Sequence, residues 1–433
     1  MATRRRDIEL RWLYPGRTKR TWRIPWGLAK RIPWIVVPPK PPKPPPPDDT
    51  FPPGDRVGLN LGCPAIDVRG LAPLNLGVTA CYAVRPTRRT YIVLNSILVV
   101  RLPDRLPIEV DAVSIAQSID AWGATFDLSL CDPEQLELLK PNANGPREIE
   151  VTLNGYVWTA IVEAYNSRKE FVAGGVSISG RSRTALLAGP YAPARTKVAP
   201  LQRTAAQLVG EELASTGYTA DYDTVDWVVP ADAWYYDNTT PLDAISRIAE
   251  ASGAVVQSDP EELTLRIRPR YPTSPWDWPD TTPDAVLQDD IVTSVNLQVV
   301  SQPLFDAVVV TGETAGKGVT VRVKRNGEAG TLYAPQVSHP LTNTAAVGAE
   351  HGRNILGDRG EQASVDLTFP LFPAPLAAGE TGRVLPLDLV EVQASEGTWH
   401  GQCTAVRFDA RTDGKALVIE QTITLERHYS DAD

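Results

Sequence analysis

Cysteine and histidine, the side chains that most often bind transition metals, are scarce in this sequence. The chain has 433 residues but only four of each. The cysteines, Cys63, Cys81, Cys131 and Cys403, are too widely spaced for a CxxC zinc motif or a dense disulfide framework. We therefore expect buried free thiols. The alternative is a zinc or iron–sulfur site, since four thiolates need only converge in space.

The histidines show no metal-site spacing either. His339, His351, His400 and His428 fit no pattern such as HExxH. Surface or capping roles are expected for them. The sequence gives no reason to expect a cofactor.

A long apolar run is also missing. The best candidate, residues 91–102, is interrupted by Asn95, Ser96 and Arg101, so it falls short of the roughly 18 apolar residues of a membrane span. The N-terminus interleaves basic and aromatic residues and lacks the apolar core of about 7–15 residues found in secretory signals. No membrane span and synthesis in the cytoplasm are therefore expected.

Enzyme motifs are absent as well. Residues 312–318 (GETAGKG) approach a phosphate-binding loop, but the first glycine is one residue too close and Gly318 replaces the hydroxyl that would bind Mg²⁺. A hairpin tip is expected there. Residues 175–179 (GVSIS) lack the last glycine of a nucleophile elbow, and we predict a strand. Carboxylate pairs for glycan cleavage are defined in space rather than in sequence. The chain is therefore not expected to be an enzyme.

Positive charge is concentrated at the N-terminus. Residues 1–50 contain twelve Lys and Arg against four Asp and Glu, a net charge of +8, so the overall −9 leaves −17 for the remainder. Because affinity for phosphate comes from clustered cations, the acidic remainder is not expected to bind nucleic acid non-specifically.

This basic segment has the composition of a docking arm. Residues 38–47 (PPKPPKPPPP) predict a polyproline II spacer about 30 Å long. The candidate docking residues before it are Trp12, Trp22, Trp26, Trp34, Arg4, Arg5, Arg6 and Arg23. Tryptophan and arginine dominate binding hot spots, so docking into a partner is favoured. Lipid contact, stacking on nucleic acid and an unattached solvated tail remain alternatives.

The rest of the chain alternates between strand and helix patterns. Apolar residues alternate with polar Thr125, Asp127 and Ser129, and Asn154-Gly155 predicts a two-residue hairpin turn. Two amphipathic helices follow, one from Leu201 towards Gly217 and one capped by Thr240, and then a hairpin over residues 254–267. Strand patterning then returns, with one short helix near residues 344–356. About three domains, each with its own core, are expected from the length.

Several segments resemble, in order, the tail-hub family of tailed bacteriophages, which includes baseplate hub and late-control D proteins. They are residues 176–187 (VSISGRSRTALL), the helix at 201–215, residues 234–249 (WYYDNTTPLDAISRIA), 254–257 (AVVQ), 385–392 (LPLDLVEV) and 399–403 (WHGQC). The resemblance covers about 330 of the 433 residues. An arm of this length before the first barrel is a departure from the family.

The resemblance implies a mainly β fold with an α+β insertion, in which two tail-tube-like β-barrels follow the extended arm. The predicted division is arm 1–37, proline-rich spacer 38–55, first barrel 56–195, α+β domain 196–285 and second barrel 286–433, with the short helix at 344–356. It also implies a homotrimer whose six barrels form a pseudo-hexameric ring.

The function implied is that of a structural hub at the distal end of a phage tail, with a long non-contractile tail preferred. The hub joins the sixfold tail tube to a threefold tip. Implied partners are the tail tube or distal tail ring, the central fibre or tip protein, the tape measure protein, and DNA only in transit through the channel. The alternatives are a receptor- or carbohydrate-binding tail component and a tail-associated glycan hydrolase.

Overall fold

The computed structural model describes most of the chain after residue 90. The described residues are 91, 93–142, 145–168, 175–314, 316–377, 379–395, 397–413 and 416–429. They belong to one unit, Arg89–Asp433. The predicted arm, the spacer, Cys63 and Cys81 lie outside the described residues.

Strands dominate the described chain. In chain order they are β1 (Ile97–Leu102), β2 (Leu106–Ile108), β3 (Val110–Ser118), β4 (Thr125–Leu130), β5 (Arg147–Leu153), β6 (Tyr156–Arg168), β7 (Gly175–Ser182), β8 (Arg195–Val198), β9 (Arg203–Thr204), β10 (Thr219–Tyr222), β11 (Val228–Val229), β12 (Tyr235–Thr239), β13 (Ala254–Ser258), β14 (Thr264–Pro269), β15 (Ala285–Gln288), β16 (Ser294–Ser301), β17 (Ala307–Gly312), β18 (Thr320–Lys324), β19 (Val337–His339), β20 (Glu361–Pro370), β21 (Leu389–Ala394), β22 (Gly397–Asp413) and β23 (Ala416–His428).

Helices are few and short. The α-helices are α1 (Leu136–Leu139), α2 (Ala205–Leu213), α3 (Pro241–Glu250) and α4 (Ala345–Gly357), and 3₁₀ turns lie at Pro133–Gln135, Arg183–Leu187, Pro275–Asp280 and Asp289–Ile291. None of the helices in the described ranges is long and apolar enough to cross a membrane. The expectation of a mainly β fold with an α+β insertion is confirmed.

Thirteen strands form one sheet that contains two similar barrels. The first barrel, β1–β7, has the order β3-β4-β7-β6-β5-β1-β2, and the second, β15, β16 and β20–β23, has the order β16-β20-β23-β22-β21-β15. In each barrel the two end strands are also close in sequence, since only Glu109 separates β2 from β3 and one 3₁₀ turn joins β15 to β16. Each set of strands therefore curls back on itself.

The two barrels repeat each other in detail. In the middle hairpin of each barrel two residues separate the strands, since β5 ends at Leu153 and β6 begins at Tyr156, while β21 ends at Ala394 and β22 begins at Gly397. A β-bulge follows at the matching place, between Val162 and Ala164 on β6 and between Cys403 and Ala405 on β22. Hence β3, β4, β5, β6 and β7 correspond to β16, β20, β21, β22 and β23.

The barrels are joined by antiparallel pairing of β3 with β22, from Ala405 opposite Ser118 to Arg411 opposite Ala112. Buried residues of both barrels form one hydrophobic cluster. Trp158 of β6 and Phe408 of β22 meet inside it, with ring centroids 4.8 Å apart. The expectation of one core per domain was therefore wrong for the barrels. The pairing of β3 with β22 continues the apolar side of the sheet from one barrel into the other.

The inserted α+β module has a core of its own, built on α2 and α3. Helix α3 begins as predicted, with Pro241 at its first position and the Thr240 hydroxyl accepting the Asp243 N–H at 3.3 Å. The predicted start of α2 at Leu201 was wrong. Leu201 is 58% exposed, and the helix begins at Ala205 because Thr204 and Gln207 form a capping box.

A second insertion separates β16 from β20. Strands β17, β18 and β19 form a small sheet against α4, which starts after the cap Thr344 as the sequence predicts. Gly352 lets the helix approach β18, since a Cβ there would collide with Val323. Residues 312–318 connect β17 and β18, as expected for a hairpin tip.

Candidate functional surfaces: a polar sheet face and an open edge

The side of the sheet that points away from the shared core carries small polar side chains. We call it the polar face and define it on β16, β20, β23, β22, β3, β4 and β7. The strand register aligns its residues in rows that run across the strands. One row consists of Thr368, Thr422, Arg407, Ala116 and Thr125. A second row consists of Glu420, Asp409, Ser114, Asp127 and Ser179. The sequence pattern on β4 predicted the outward position of Thr125, Asp127 and Ser129.

Arginines on the polar face are neutralised by carboxylates. Arg407 lies 3.0 Å from Asp409, and Arg411 lies 2.9 Å from Glu420. Arg181 forms an ion pair with Glu163 at 2.6 Å. These contacts leave the face without a cluster of unpaired cations within the described strands.

Two acids on the polar face have no cationic partner among the described residues. The Asp366 carboxylate accepts hydrogen bonds from Asn296 at 3.2 Å and Thr424 at 2.7 Å. Asp127 is exposed. The face is therefore slightly acidic, which disfavours tight phosphate binding.

Two depressions lie over the polar face. One, of about 440 Å³, is lined by residues such as Ser118, Thr125 and Thr422. The other, of about 360 Å³, is lined by residues such as Ser114, Asp127 and Ser177. Both are open and shallow. Arg407 lines each of them, and neither lining includes an aromatic side chain on which a base could stack.

The edge strand β16 leaves apolar side chains uncovered. Val295, Leu297 and Val299 are 58%, 49% and 60% exposed. Their partners on β20, Leu367, Val365 and Ala363, are buried in the shared core. Val295, Leu297 and Val299 therefore lie on the same side of the sheet as the core residues, but at its edge, where they are not covered. We call β16 the open edge, because in the described part of the chain only β20 pairs with it.

Sequence reasoning missed the open edge, although a signal was present. Val295, Leu297 and Val299 alternate with Asn296 and Gln298, which is the two-residue period of a strand. The alternation identifies a strand but not the exposure of its apolar side.

The histidines were expected in surface or capping roles, and all four are partly buried. His428 lies 2.7 Å from Glu426 with its side chain 11% exposed, and His400 lies 3.6 Å from Glu391. His339 is partly buried; burial and neighbouring His351 lower the pKa of His339 to about 4. Surface roles do not fit these partly buried rings, whereas a capping role fits His339, whose Nδ1 accepts the Leu341 N–H at 3.1 Å.

Glu426 anchors the connection between the α+β module and the second barrel. The Tyr271 hydroxyl donates to it at 2.5 Å, and Arg270 lies 3.6 Å away. Burial alone would raise the pKa of Glu426, but hydrogen bonds from His428 and Tyr271 lower it. This network ties the α+β module to the second barrel.

The described cysteines differ in environment. Cys403 is buried, and burial raises the pKa of its thiol. Cys131 is exposed, so the expectation of a buried thiol was wrong there. Within the described ranges no group of three or more His, Cys, Asp or Glu residues could hold a metal ion. The four-cysteine alternative and the tryptophan arm involve residues outside those ranges.

The best place to seek a hydrolytic carboxylate pair is a cavity of about 190 Å³ beside Asp284 and Asp388. Burial raises the pKa of Asp388 to about 6, and Asp284 adds to the effect. Both carboxylates accept backbone N–H groups at 2.8 Å, Asp388 from Leu385 and Asp284 from Leu389. Asp284 and Asp388 therefore hold the turn before β21 in place. This structural role accounts for the two carboxylates without a catalytic one.

The fold has counterparts among solved structures. A tail protein from Neisseria meningitidis MC58 aligns with a TM-score of 0.56 and 14% identity over 77% of this chain and 96% of that one. The chain has a phage-tail-protein fold. The 43 kDa tail protein of prophage MuSo2 from Shewanella oneidensis aligns with a TM-score of 0.52 and 16% identity, over 76% and 98% of the two chains. The resemblance drawn from the sequence is thus confirmed at the level of fold. No protein-family model and no curated protein sequence matches the chain.

Proposed function

We propose that this chain is a structural virion protein, the hub at the distal end of a phage tail. The observation that carries the proposal is the pair of repeated barrels joined in one sheet, with a neutralised polar face on one side. A channel wall for DNA must not hold the polymer, and a face with paired arginines and short hydroxyl side chains meets that requirement. The fold shared with tail proteins supports the same setting.

The repeated barrel also supports a role as an adaptor between sixfold and threefold symmetry. Three copies with two barrels each present six similar units, which can stack on a sixfold tail tube, while the α+β modules and arms repeat only three times. The proposed partners are the tail tube or distal tail ring above, a central fibre or tip protein below, and the tape measure protein during assembly. DNA passes through and is not bound.

The domain division belongs to this proposal. The arm, residues 1–37, and the spacer, residues 38–55, reach neighbouring tail-tip proteins. Residues 56–195 and 286–433 supply the two barrels, and residues 196–285 supply the module between them. Such a role needs neither a cofactor nor a catalytic residue.

A glycan hydrolase is the second candidate, favoured only by the cavity at Asp284 and Asp388. Purified chain is expected to leave cell-wall and capsular glycans intact. Cleavage that Asp388→Asn abolishes, in a protein that still folds, would establish the hydrolase instead. Binding of the isolated chain to host cells would favour a receptor-binding component.

Deletion of the coding gene tests the structural role. Without the chain, infected cells are expected to accumulate filled heads and no complete tails, and expression of the chain in trans is expected to restore infectious particles. Normal tails from the deletion strain would contradict the proposal.

A further inference from the structure

The connection between β19 and α4 fastens the second insertion to the α+β module. Leu341, in this connection, is fully buried and packs in the hydrophobic cluster of the module. Its backbone carbonyl accepts a hydrogen bond from the indole N–H of Trp227, a buried residue of the module, at 3.1 Å. The insertion therefore contributes both an apolar side chain and a hydrogen-bond acceptor to the interior of the module.

His339, the last residue of β19, holds this connection in its turn. Its ring atom Nδ1 accepts the Leu341 N–H at 3.1 Å, and its backbone carbonyl accepts the Thr342 N–H at 3.1 Å. A ring nitrogen accepts a hydrogen bond only when it carries no proton, so the ring is neutral with its proton on Nε2. The position of Leu341 therefore depends on the protonation state of His339.

The surroundings of the His339 ring oppose a second proton. Burial, and then the neighbouring ring of His351 on α4, lower the pKa of His339 to about 4. Glu313, which follows β17, and a hydrogen bond to the Arg247 backbone on α3 act in the opposite direction. The Arg247 and Glu250 side chains of α3 are exposed. The ring is thus enclosed by three elements, and the factors that oppose its charge outweigh those that favour it.

The second histidine at this joint is in a similar position. His351 is partly buried, and its Nδ1 is buried without a hydrogen-bond partner. The ring packs closely on the segment after α3, since a Cβ added at Gly253 would lie 3.3 Å from His351 Cδ2. A proton on Nδ1 would be buried without an acceptor, which is unfavourable. His351 therefore reinforces the preference of the joint for neutral rings.

We propose that His339 is an acid-sensitive switch, in which protonation of Nδ1 breaks its hydrogen bond with the Leu341 N–H and loosens the second insertion from the α+β module. The added proton would set one N–H against another, so the turn has to open. Leu341 then leaves the core of the module, and the Trp227 indole loses its acceptor. A contact from the Lys317 ammonium to the Ala231 carbonyl, at 2.6 Å, does not involve this ring and keeps the insertion tethered.

The direction of the pH effect follows from the two states of the turn. In the open turn His339 has its ordinary pKa of 6.5, and in the closed turn its pKa is about 4. The closed turn is therefore fully stable above pH 6.5 and loses stability as the pH falls towards 4. These values predict about twentyfold more of the open turn at pH 5 than at pH 7.

Hydrogen exchange of the full chain measures this opening. Protection of residues 339–345 and 226–231, corrected for the intrinsic exchange rate at each pH, is expected to fall about twentyfold from pH 7 to pH 5. Residues 417–425, on β23 of the second barrel, serve as an internal control and are expected to show no such fall.

Three variants separate the switch from a merely structural histidine. His339→Asn places an amide oxygen near the position of Nδ1 and does not titrate, so the turn is expected to stay protected at both pH values. His339→Ala is expected to show at pH 7 the exchange that the wild type shows at pH 5. His400→Asn, on β22, should follow the wild type. Full protection of the wild-type turn at pH 5, or an equal loss in His339→Asn, would overturn the switch.

Nitrogen chemical shifts of the wild-type histidine rings give a second test that needs no variant. The His339 ring, assigned through its contact with Leu341, is expected to have an unprotonated Nδ1 at pH 7 and a titration midpoint below pH 5. A midpoint near pH 6.5 would overturn the inference. Neither result bears on the hub function, which depends on the barrels.

Discussion

Ile115 on β3 and Leu297 on β16 occupy equivalent places in the two barrels, but Ile115 is 1% exposed and Leu297 is 49% exposed. The difference arises because β22 covers β3, while β16 ends the sheet. The same local sequence pattern thus leads to a core residue in one barrel and to an uncovered one in the other. Whether an apolar strand residue is core or interface is decided by the neighbouring strand.

Loss of the aromatic contact across the barrels should destabilise both together. Phe408→Ala removes a fully buried ring that packs on Trp158, and a Phe→Ala change in a core costs roughly 3–5 kcal/mol. We expect a single unfolding transition in urea at a lower midpoint. Arg407→Ala, at the exposed neighbouring position, should change the free energy of unfolding by less than about 1 kcal/mol. Two separate transitions would contradict the shared core.

Asp388 should make stability depend on pH in a predictable direction. Burial raises its pKa in the folded chain to about 6, above the ordinary value of 3.8. The folded state therefore holds this proton more tightly, and its contribution to stability is lost as pH rises from about 4 through 6.

Asp388→Asn has no titrating carboxyl at this position, so its stability should not fall with rising pH for this reason. The unfolding free energy of Asp388→Asn relative to wild type is expected to rise by about 2–3 kcal/mol between pH 4 and pH 7, at roughly 1.4 kcal/mol per pH unit. Urea titrations at several pH values measure it. Parallel profiles for the two proteins would show that the carboxylate is not buried as described.

The polar face should acquire DNA affinity when cations are placed on it. Asp127→Lys with Ser177→Lys adds two exposed lysines on adjacent strands. Binding of duplex DNA, measured by fluorescence anisotropy, should appear at about 50 mM salt and weaken several-fold by 200 mM, since affinity comes from counterion release. The matched Asn pair and the wild type should not bind. Tight wild-type binding at physiological salt would contradict a passive channel wall.

The tryptophan arm is predicted to act in assembly and not in folding. Joint replacement of Trp12, Trp22, Trp26 and Trp34 by Ala should lower the yield of complete tails by at least about tenfold, as expected for the loss of several hot-spot side chains. Truncation of residues 1–50 should leave the melting temperature of the rest of the chain nearly unchanged. Normal infectious particles from the tryptophan variant would remove the docking role.

Local structure was the part of the fold that the sequence predicted well. Asn154 and Gly155 form the expected hairpin turn, and both adopt positive φ angles, 50° and 90°. Thr240 and Pro241 specify the start of α3 through a cap and a fixed φ angle. These signals work because the physical cause lies within a few residues.

Long-range pairing was not predictable in the same way. Nothing near Ser114 indicates that it lies opposite Asp409, because strand alternation is the same for every possible neighbour. The parallel pairing of β10 with β14, and the approach of His428 to Trp278 with ring centroids 5.1 Å apart, are further consequences of tertiary packing. The resemblance to the tail-hub family implied the two barrels and the α+β insertion, but neither these pairings nor the open edge.

A density map of the intact particle at the distal end of the tail tests the hub most directly. We predict a ring of three copies with six barrels around the channel, stacked on the tail tube, with the polar face lining the passage. A map in which this chain is absent from the tail tip, or present without threefold symmetry, would contradict the account.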